Sequence, residues 1–229
     1  MDPSVARSRL AARAPATAEP AAERRPRGRP RKTVDELDDG NRRRELVKAA
    51  AKLFRRRGFD ATSTRDIAAA VGMHSGSPFY HFKSKQALLH AVMEEGMRSA
   101  IERQHHVLQK AQRLTPDPCG LLAVLIRNHF EVLLGPGSDF IPVMLYESRS
   151  ITPRQRAALA KLQGEYESSW VPVLEALHDS GRLKADVKLA RLLMFGALNW
   201  SVQWFDRKKG ASLDELTDAA LALFTGEST

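Results

Sequence analysis

The sequence predicts an all-α protein: an N-terminal three-helix helix-turn-helix unit followed by a larger helical domain, about nine helices in all. Three observations predict it. From residue 41 onward, apolar residues recur at three- and four-residue spacing. Three helix starts carry a cap residue with an acid or amide three positions on: Ser63 with Asp66, Thr152 with Gln155, and Ser212 with Glu215. No stretch alternates apolar and polar residues over the length of a strand.

Residues 1–40 read as a flexible arm, because Pro3, Pro15, Pro20, Pro26 and Pro30 interrupt any helix. Asp38-Asp39-Gly40 is a turn signal, and the first helix is expected from Arg42 to Arg57, with Leu46, Ala49, Ala50, Leu53 and Phe54 on one face. Gly58 ends it. Thr64 to Val71 is a short helix capped by Thr62 or Ser63, with Ile67, Ala68 and Val71 facing inward. Gly72-Met73-His74 is a tight turn, and Ser75 caps a second short helix to about Phe82. Ser84 caps a long helix from Lys85 to about Arg113.

Pro116-Asp117-Pro118 breaks the chain before an apolar helix from Leu121 to Leu134, closed by Gly135-Pro136-Gly137. Phe140 to Tyr146 is short. Thr152-Pro153-Arg154-Gln155 opens a helix to about Ser180, which Pro172 should kink. Asp186 caps a helix to about Lys208, and Ser212 one to Phe224.

Lys and Arg number 36 against 27 Asp and Glu, a net +9 over 229 residues, and the excess is unevenly placed. Residues 1–40 carry nine basic and seven acidic side chains, residues 41–100 twelve and five, and residues 101–229 fifteen of each. The first hundred residues thus suit an anionic partner, and the neutral remainder has another task. Cys119 is the single cysteine, which excludes an internal disulfide and fits a reducing compartment. No apolar run approaches the roughly 20 residues of a membrane span, and residues 1–22 lack the apolar core of a secretory signal, so no membrane partner is expected. No G-x-S-x-G, Gly-rich phosphate loop or zinc-spaced Cys/His set is present, so neither an enzyme nor a cofactor is expected. His105 and His106 are adjacent and point to different helix faces, a poor metal pair.

A short helix, a glycine turn and a second short helix form the minimum unit that reads a major groove. Ser75-Gly76-Ser77-Pro78 is small enough to let the backbone approach bases and phosphates. Tyr80, His81 and Lys85 can donate to flanking phosphates, as can Thr62, Ser63 and Thr64 at a helix N-terminus. Arg65 and His74 are candidates of the same kind, equally readable as solvated surface residues.

Leu46 to Leu89, LVKAAAKLFRRRGFDATSTRDIAAAVGMHSGSPFYHFKSKQALL, resembles the DNA-binding domain of the TetR family. The likeness spans three helices and the start of a fourth, over many spaced positions at once. It implies backbone contacts from Thr62 and Thr64, a recognition helix starting around Gly76, phosphate contacts from Tyr80, His81 and Lys85, and a buried anchor at Phe82. Pro78 departs from the family pattern, which has Leu, Thr or Ile there. A proline is tolerated in this first turn, and its ring suits a thymine methyl.

In the arm, Arg27-Gly28-Arg29-Pro30 resembles an AT-hook core, flanked by Arg24, Arg25, Arg31 and Lys32. Glycine lets the chain lie on the groove floor, proline holds it extended, and two arginines enter the electronegative minor groove of A·T-rich DNA. A generic basic arm on phosphates is the alternative.

Farther on, ten of the fourteen residues of Leu192–Phe205 are apolar, all round the helix, so it should be buried on most faces. With a second stripe in the last helix it could form a four-helix interface between two copies, involving Leu193, Leu198, Trp200, Trp204, Leu216, Ala220 and Leu223. The same helices could instead complete one subunit's core; the family resemblance implies a homodimer. The middle helices could enclose a ligand, with Phe130, Phe140, Met144, Tyr146, Tyr166, Trp170 and Phe195 as candidate liners. Arg127 and Arg149, cations in apolar surroundings, need an anionic ligand or the nearby Glu131 and Glu147.

Gly196–Leu216 and Tyr146–Arg156 are similar to the TetR subgroup that senses acyl-CoA thioesters. The resemblance implies a cytoplasmic bacterial repressor, nucleoid-associated when bound to operator DNA and released by a small-molecule effector such as an acyl-CoA. Its domains would be an arm (1–40), a DNA-binding head (41–88) and a ligand-binding and dimerisation part (89–229). An architectural A·T-rich-DNA-binding protein without an effector, and an enzyme with an unrecognised helical site, are the other readings.

Overall fold

The computed structural model describes residues 34–73, 78–114, 117–206 and 208–226. Among them lie ten α-helices, one 3-10 turn and no strand. The first helix, α1 (Val34–Arg57), begins at Val34 rather than Arg42 and runs straight through Asp38-Asp39-Gly40. One interior glycine costs a helix about 1 kcal/mol, which the remaining turns outweigh, so this trio is not a turn.

Helix α2 (Thr64–Ala70) is capped by Ser63, whose Oγ accepts from the Asp66 N–H while the Ser63 N–H donates back to the Asp66 carboxylate. The Ser63 hydroxyl, which donates to Asp66 Oδ2 at 2.6 Å, and the Ser63 N–H hold the Asp66 carboxyl below its ordinary range. Helix α3 is described over Pro78–His81, and the expected Ser75 cap lies outside the described residues. Helix α4 (Lys85–Leu114) is capped by Ser84, whose Oγ accepts from the Ala87 N–H at 3.0 Å. Leu46, Ala50, Phe54, Ile67, Phe82 and Leu89 make one buried core for this unit. The Arg43 guanidinium lies 4.8 Å from the Phe82 ring centroid, tying α1 to the chain just after α3.

Helix α5 (Pro118–Leu134) begins three residues before the expected Leu121, because Asp117 caps it and Pro118 occupies its first turn. Next come α6 (Phe140–Glu147) and the 3-10 turn Ser148–Ser150. The single kinked helix expected over 152–180 is two helices, α7 (Pro153–Ser168) and α8 (Val171–Asp179). Pro172 sits in the first turn of α8, where no preceding carbonyl awaits its missing N–H, so the chain breaks before it instead of kinking at it. Helix α9 (Val187–Trp204) stops short of the expected Lys208, and α10 (Leu213–Thr225) follows its Ser212–Glu215 capping box.

Two helices organise the larger domain. Helix α4 packs against α1, α5, α6 and α7, so it belongs to both the N-terminal unit and the rest. Helix α5 is covered by α4, α8, α9 and α10, and its Leu122, Leu125, Ile126 and Phe130 are buried. Where α4 crosses α6, Gly96 is required: a Cβ there would lie 2.6 Å from Cβ of Phe140.

Candidate nucleic-acid interface and effector cavity

The structure divides the expected DNA contacts into scaffold and surface. Thr62 is fully buried, and its hydroxyl donates to the Gly58 carbonyl at 2.8 Å. Its side chain therefore closes the α1–α2 turn instead of reaching DNA. Lys85 is half-buried. Its ammonium donates to the carbonyls of Phe59 at 2.8 Å and Thr62 at 3.0 Å and lies 4.1 Å from the Phe59 ring centroid. Its ammonium is thus engaged with the head's own backbone. The Ser63 hydroxyl is spent on Asp66.

Arg65 is exposed on α2, with Thr64 half-buried beside it. Tyr80 on α3 is 81% exposed and stands edge-on to His81, with ring centroids 5.2 Å apart. Phe82 is buried, as expected of an anchor. Pro78 opens α3. His74, Ser75, Gly76 and Ser77 lie outside the described residues, as do Arg27, Gly28, Arg29 and Pro30 of the arm.

A cavity of about 40 Å³ lies between α4, α5, α6, α7 and α9. It has room for about three waters. Of the candidate liners, Met144, Tyr166 and Phe195 border it, while Phe130 and Trp170 are buried but are not among its lining residues. Tyr146 and Arg149 point away from it and are exposed, because α6 and the 3-10 turn present them on the outer side. Arg127 is also outside: it bonds Glu131 at 2.7 Å and Asp214 at 2.6 Å, tying α5 to α10, so it has protein partners and is not a ligand clamp.

Sequence reasoning missed the polar side of this cavity. The His129 ring contacts the Tyr166 hydroxyl at 3.1 Å through Nδ1 and the Asn199 side-chain oxygen at 3.2 Å through Nε2. With the amide oxygen facing it, Nε2 carries the proton, and the Tyr166 hydroxyl then donates to Nδ1. Nearby, Gln104 accepts from the Trp170 indole at 2.9 Å and donates to the Tyr166 carbonyl at 2.7 Å. Burial pushes the His129 imidazolium down to about 4 and the Tyr166 phenol well above its usual value, so both are neutral near pH 7.

Because the folded pKa of His129 lies below the unfolded 6.5, the unfolded chain binds the extra proton as pH falls. The stability due to a neutral His129 is complete above about pH 6.5 and falls away toward pH 4. It is worth on the order of 3 kcal/mol over that window. Urea unfolding at pH 7 and pH 4.5 should show an acid loss that His129→Gln reduces; an equal loss in both chains would contradict it.

The cavity and the head are joined by α6. Ile141, Met144 and Leu145 line the cavity, and at the helix end Glu147 Oε1 accepts from the Phe59 N–H at 2.9 Å. Glu147 thus serves the α1–α2 turn rather than the Arg149 pairing considered from sequence. Gln86 of α4 adds a bond to the Ser150 carbonyl at 3.1 Å.

Helix α9 carries an exposed apolar stripe: Leu189, Leu192, Leu193 (69% exposed), Trp200 (65%) and Trp204. The helix is therefore not buried on most faces within one chain. Leu198 lies on its inner side at 2% exposure and belongs to the subunit's core, not to this stripe. On α10, Leu223 is exposed, while Leu216 and Ala220 are half-buried against the core. No described helix is long and apolar enough to cross a membrane.

Two family models match the chain. Bacterial regulatory proteins of the tetR family match residues 46–92, and the tetracyclin repressor-like C-terminal domain matches residues 117–226. The HTH-type transcriptional repressor KstR2 of Rhodococcus jostii is 26% identical over 192 residues, covering 82% of this chain and 92% of that protein. KstR2 of Mycobacterium tuberculosis, solved as a ketosteroid transcriptional regulator, superposes with a TM-score of 0.68 at 25% identity, covering 82% of this chain and 95% of that one. The fatty acid metabolism regulator protein of Bacillus subtilis is 25% identical over 182 residues, covering 78% of this chain and 91% of that protein. A solved chain described as superantigen PfiT is 35% identical with a TM-score of 0.68, covering 80% of this chain and 95% of that one.

Proposed function

The chain belongs to the tetR family of bacterial regulatory proteins and is a DNA-binding transcriptional regulator; from that premise we propose that it is a homodimeric repressor released from its operator by a small, mainly apolar effector. The proposed division is an arm over 1–40, a head over 41–88 and an effector and dimer part over 89–229. Relatives named as a repressor and as a fatty acid metabolism regulator support an operator-specific regulator over an architectural A·T-binding protein.

The observation that carries the release mechanism is the bond between Glu147 and Phe59. A ligand that widens the cavity presses on Ile141, Met144 and Leu145 of α6, and α6 ends on the turn that sets the reading head. Binding that differs in strength between two settings of α6 shifts the head between them. Two copies joined along α9 would then lose the spacing that fits two half-sites. An acyl thioester is the proposed effector class, since the cavity wall is mostly apolar and the segments at 146–156 and 196–216 resemble acyl-CoA sensors.

The test is operator retention measured by fluorescence anisotropy while a series of acyl-CoAs is titrated. Release by at least one of them is expected; equal retention with and without every bound acyl-CoA would overturn the proposal. Glu147→Gln keeps the side chain's size and removes its charge. It should retain operator binding within about threefold and blunt effector release about tenfold, as expected for a charge-assisted bond worth 1.5–3 kcal/mol. Full release by the effector in that variant would argue against α6 as the link.

For the arm we propose a minor-groove role. Deleting residues 24–32 should weaken binding to operators with A·T-rich flanks by tenfold or more at fixed salt, and G·C-flanked operators much less. Equal loss on both flanks would indicate a phosphate-bound arm without groove preference.

A further inference from the structure

The walls of the cavity are chemically divided. Every polar lining residue comes from α5, α7 or α9: His129, Gln163, Tyr166, Glu167 and Asn199. Helices α4 and α6 contribute only Met97, Ala100, Ile141, Met144 and Leu145. No lysine or arginine is among the described residues that line the cavity. Glu167 faces it, with its carboxylate paired to Arg191 at 2.7 Å, so the carboxylate at the wall already has its cation.

Hydrogen-bond bookkeeping then sets what a ligand can meet. His129 uses both ring nitrogens internally, on Tyr166 and Asn199. With its oxygen on the imidazole, Asn199 keeps its NH2 group as a donor. That free amide donor suits a carbonyl oxygen, which only accepts. A carboxylate would enter with no free cation among the described lining residues, Arg191 being already paired with Glu167, and would incur the desolvation cost of its charge. The opposite wall suits a short hydrocarbon. Met97 and Met144 are unbranched thioethers that can re-pack around an irregular shape, which a cavity of about 40 Å³ must do to admit one.

We infer that the cavity selects a compact hydrocarbon group bearing an uncharged carbonyl, held by Asn199 and oriented by His129 and Tyr166, and rejects the corresponding free carboxylate. This rests on the effector reading above and narrows it: a charged carrier stays outside the cavity and only the neutral acyl end enters.

The test is calorimetric titration of the full chain with three probes of similar hydrocarbon size: hexanoyl-N-acetylcysteamine thioester, 2-octanone and sodium hexanoate. The thioester and the ketone should both bind, and hexanoate at least a hundredfold more weakly. Asn199→Ala should weaken the thioester tenfold or more. Tyr166→Phe, which removes the proton donated to His129, should weaken it less and give a readout should the first variant fail to fold. Hexanoate binding as tightly as the thioester, no binding of either neutral probe, or unchanged affinity in both variants would each overturn the inference. Failure of the broader reading looks different: the thioester would bind as described and the operator would stay occupied.

Discussion

Replacing Lys85 by Met should destabilise the reading head itself rather than remove a contact to DNA. The substitution keeps the aliphatic stem but deletes two charge-assisted bonds to the carbonyls of Phe59 and Thr62, and the cation above the Phe59 ring. A bond to a charged group contributes about 1.5–3 kcal/mol, and the two part-buried carbonyls would be left with one partner fewer. A net loss of about 3 kcal/mol is expected, which in a chain of this size lowers Tm by roughly 6–12 °C. Amide exchange should accelerate first around Phe59 to Thr62 and at the start of α4. The competing result is equally clear. If Tm is unchanged and the salt slope of operator binding drops by about one, Lys85 is a phosphate contact, as the family resemblance implied.

The second large effect is expected at α9. Its exposed leucines and tryptophans flank Gly196, above which a Cβ would meet no atom within 4 Å of the same chain. A second copy crossing there could approach the helix backbone closely. Gly196→Leu adds bulk only outside the subunit, and replacing an interior glycine favours the helix by up to about 1 kcal/mol. The variant should therefore keep or raise its monomer stability while dimerisation weakens a hundredfold or more, and operator affinity should fall with it. Trp200→Glu should do the same by placing a charge at the apolar contact. Sedimentation velocity at micromolar concentration checks both; intact dimers in both variants would move the interface elsewhere.

The fold was largely legible because helices announce their ends locally. Ser63, Ser84, Thr152, Asp186 and Ser212 each cap the helix assigned to them, since a cap needs only its own side chain and the next turn. The errors arose where a local signal was weaker than what surrounds it. Gly40 did not stop α1, and Pro172 began a helix instead of bending one.

The site was less legible, because a side chain's role depends on what the fold brings opposite it. Thr62 and Lys85 have the chemistry of phosphate ligands, yet tertiary packing turns each onto a backbone carbonyl. Arg127 looked like an anion clamp until α10 delivered Asp214. His129 could have been noticed as a polar residue inside the apolar Leu121–Leu134 run, but its partners Tyr166 and Asn199 lie 37 and 70 positions away.

Asn199 and Trp200 are neighbours in sequence on adjoining faces of α9, one at the cavity wall and one on the exposed stripe. In a dimer paired along that helix, the two cavities would be separated by little more than the thickness of the helix pair. A ligand that repositions Asn199 in one subunit would rotate or shift the surface on which the other subunit rests. The two sites would then fill in concert, with a Hill coefficient above one, and the regulator would respond to effector concentration as a threshold rather than as a graded scale.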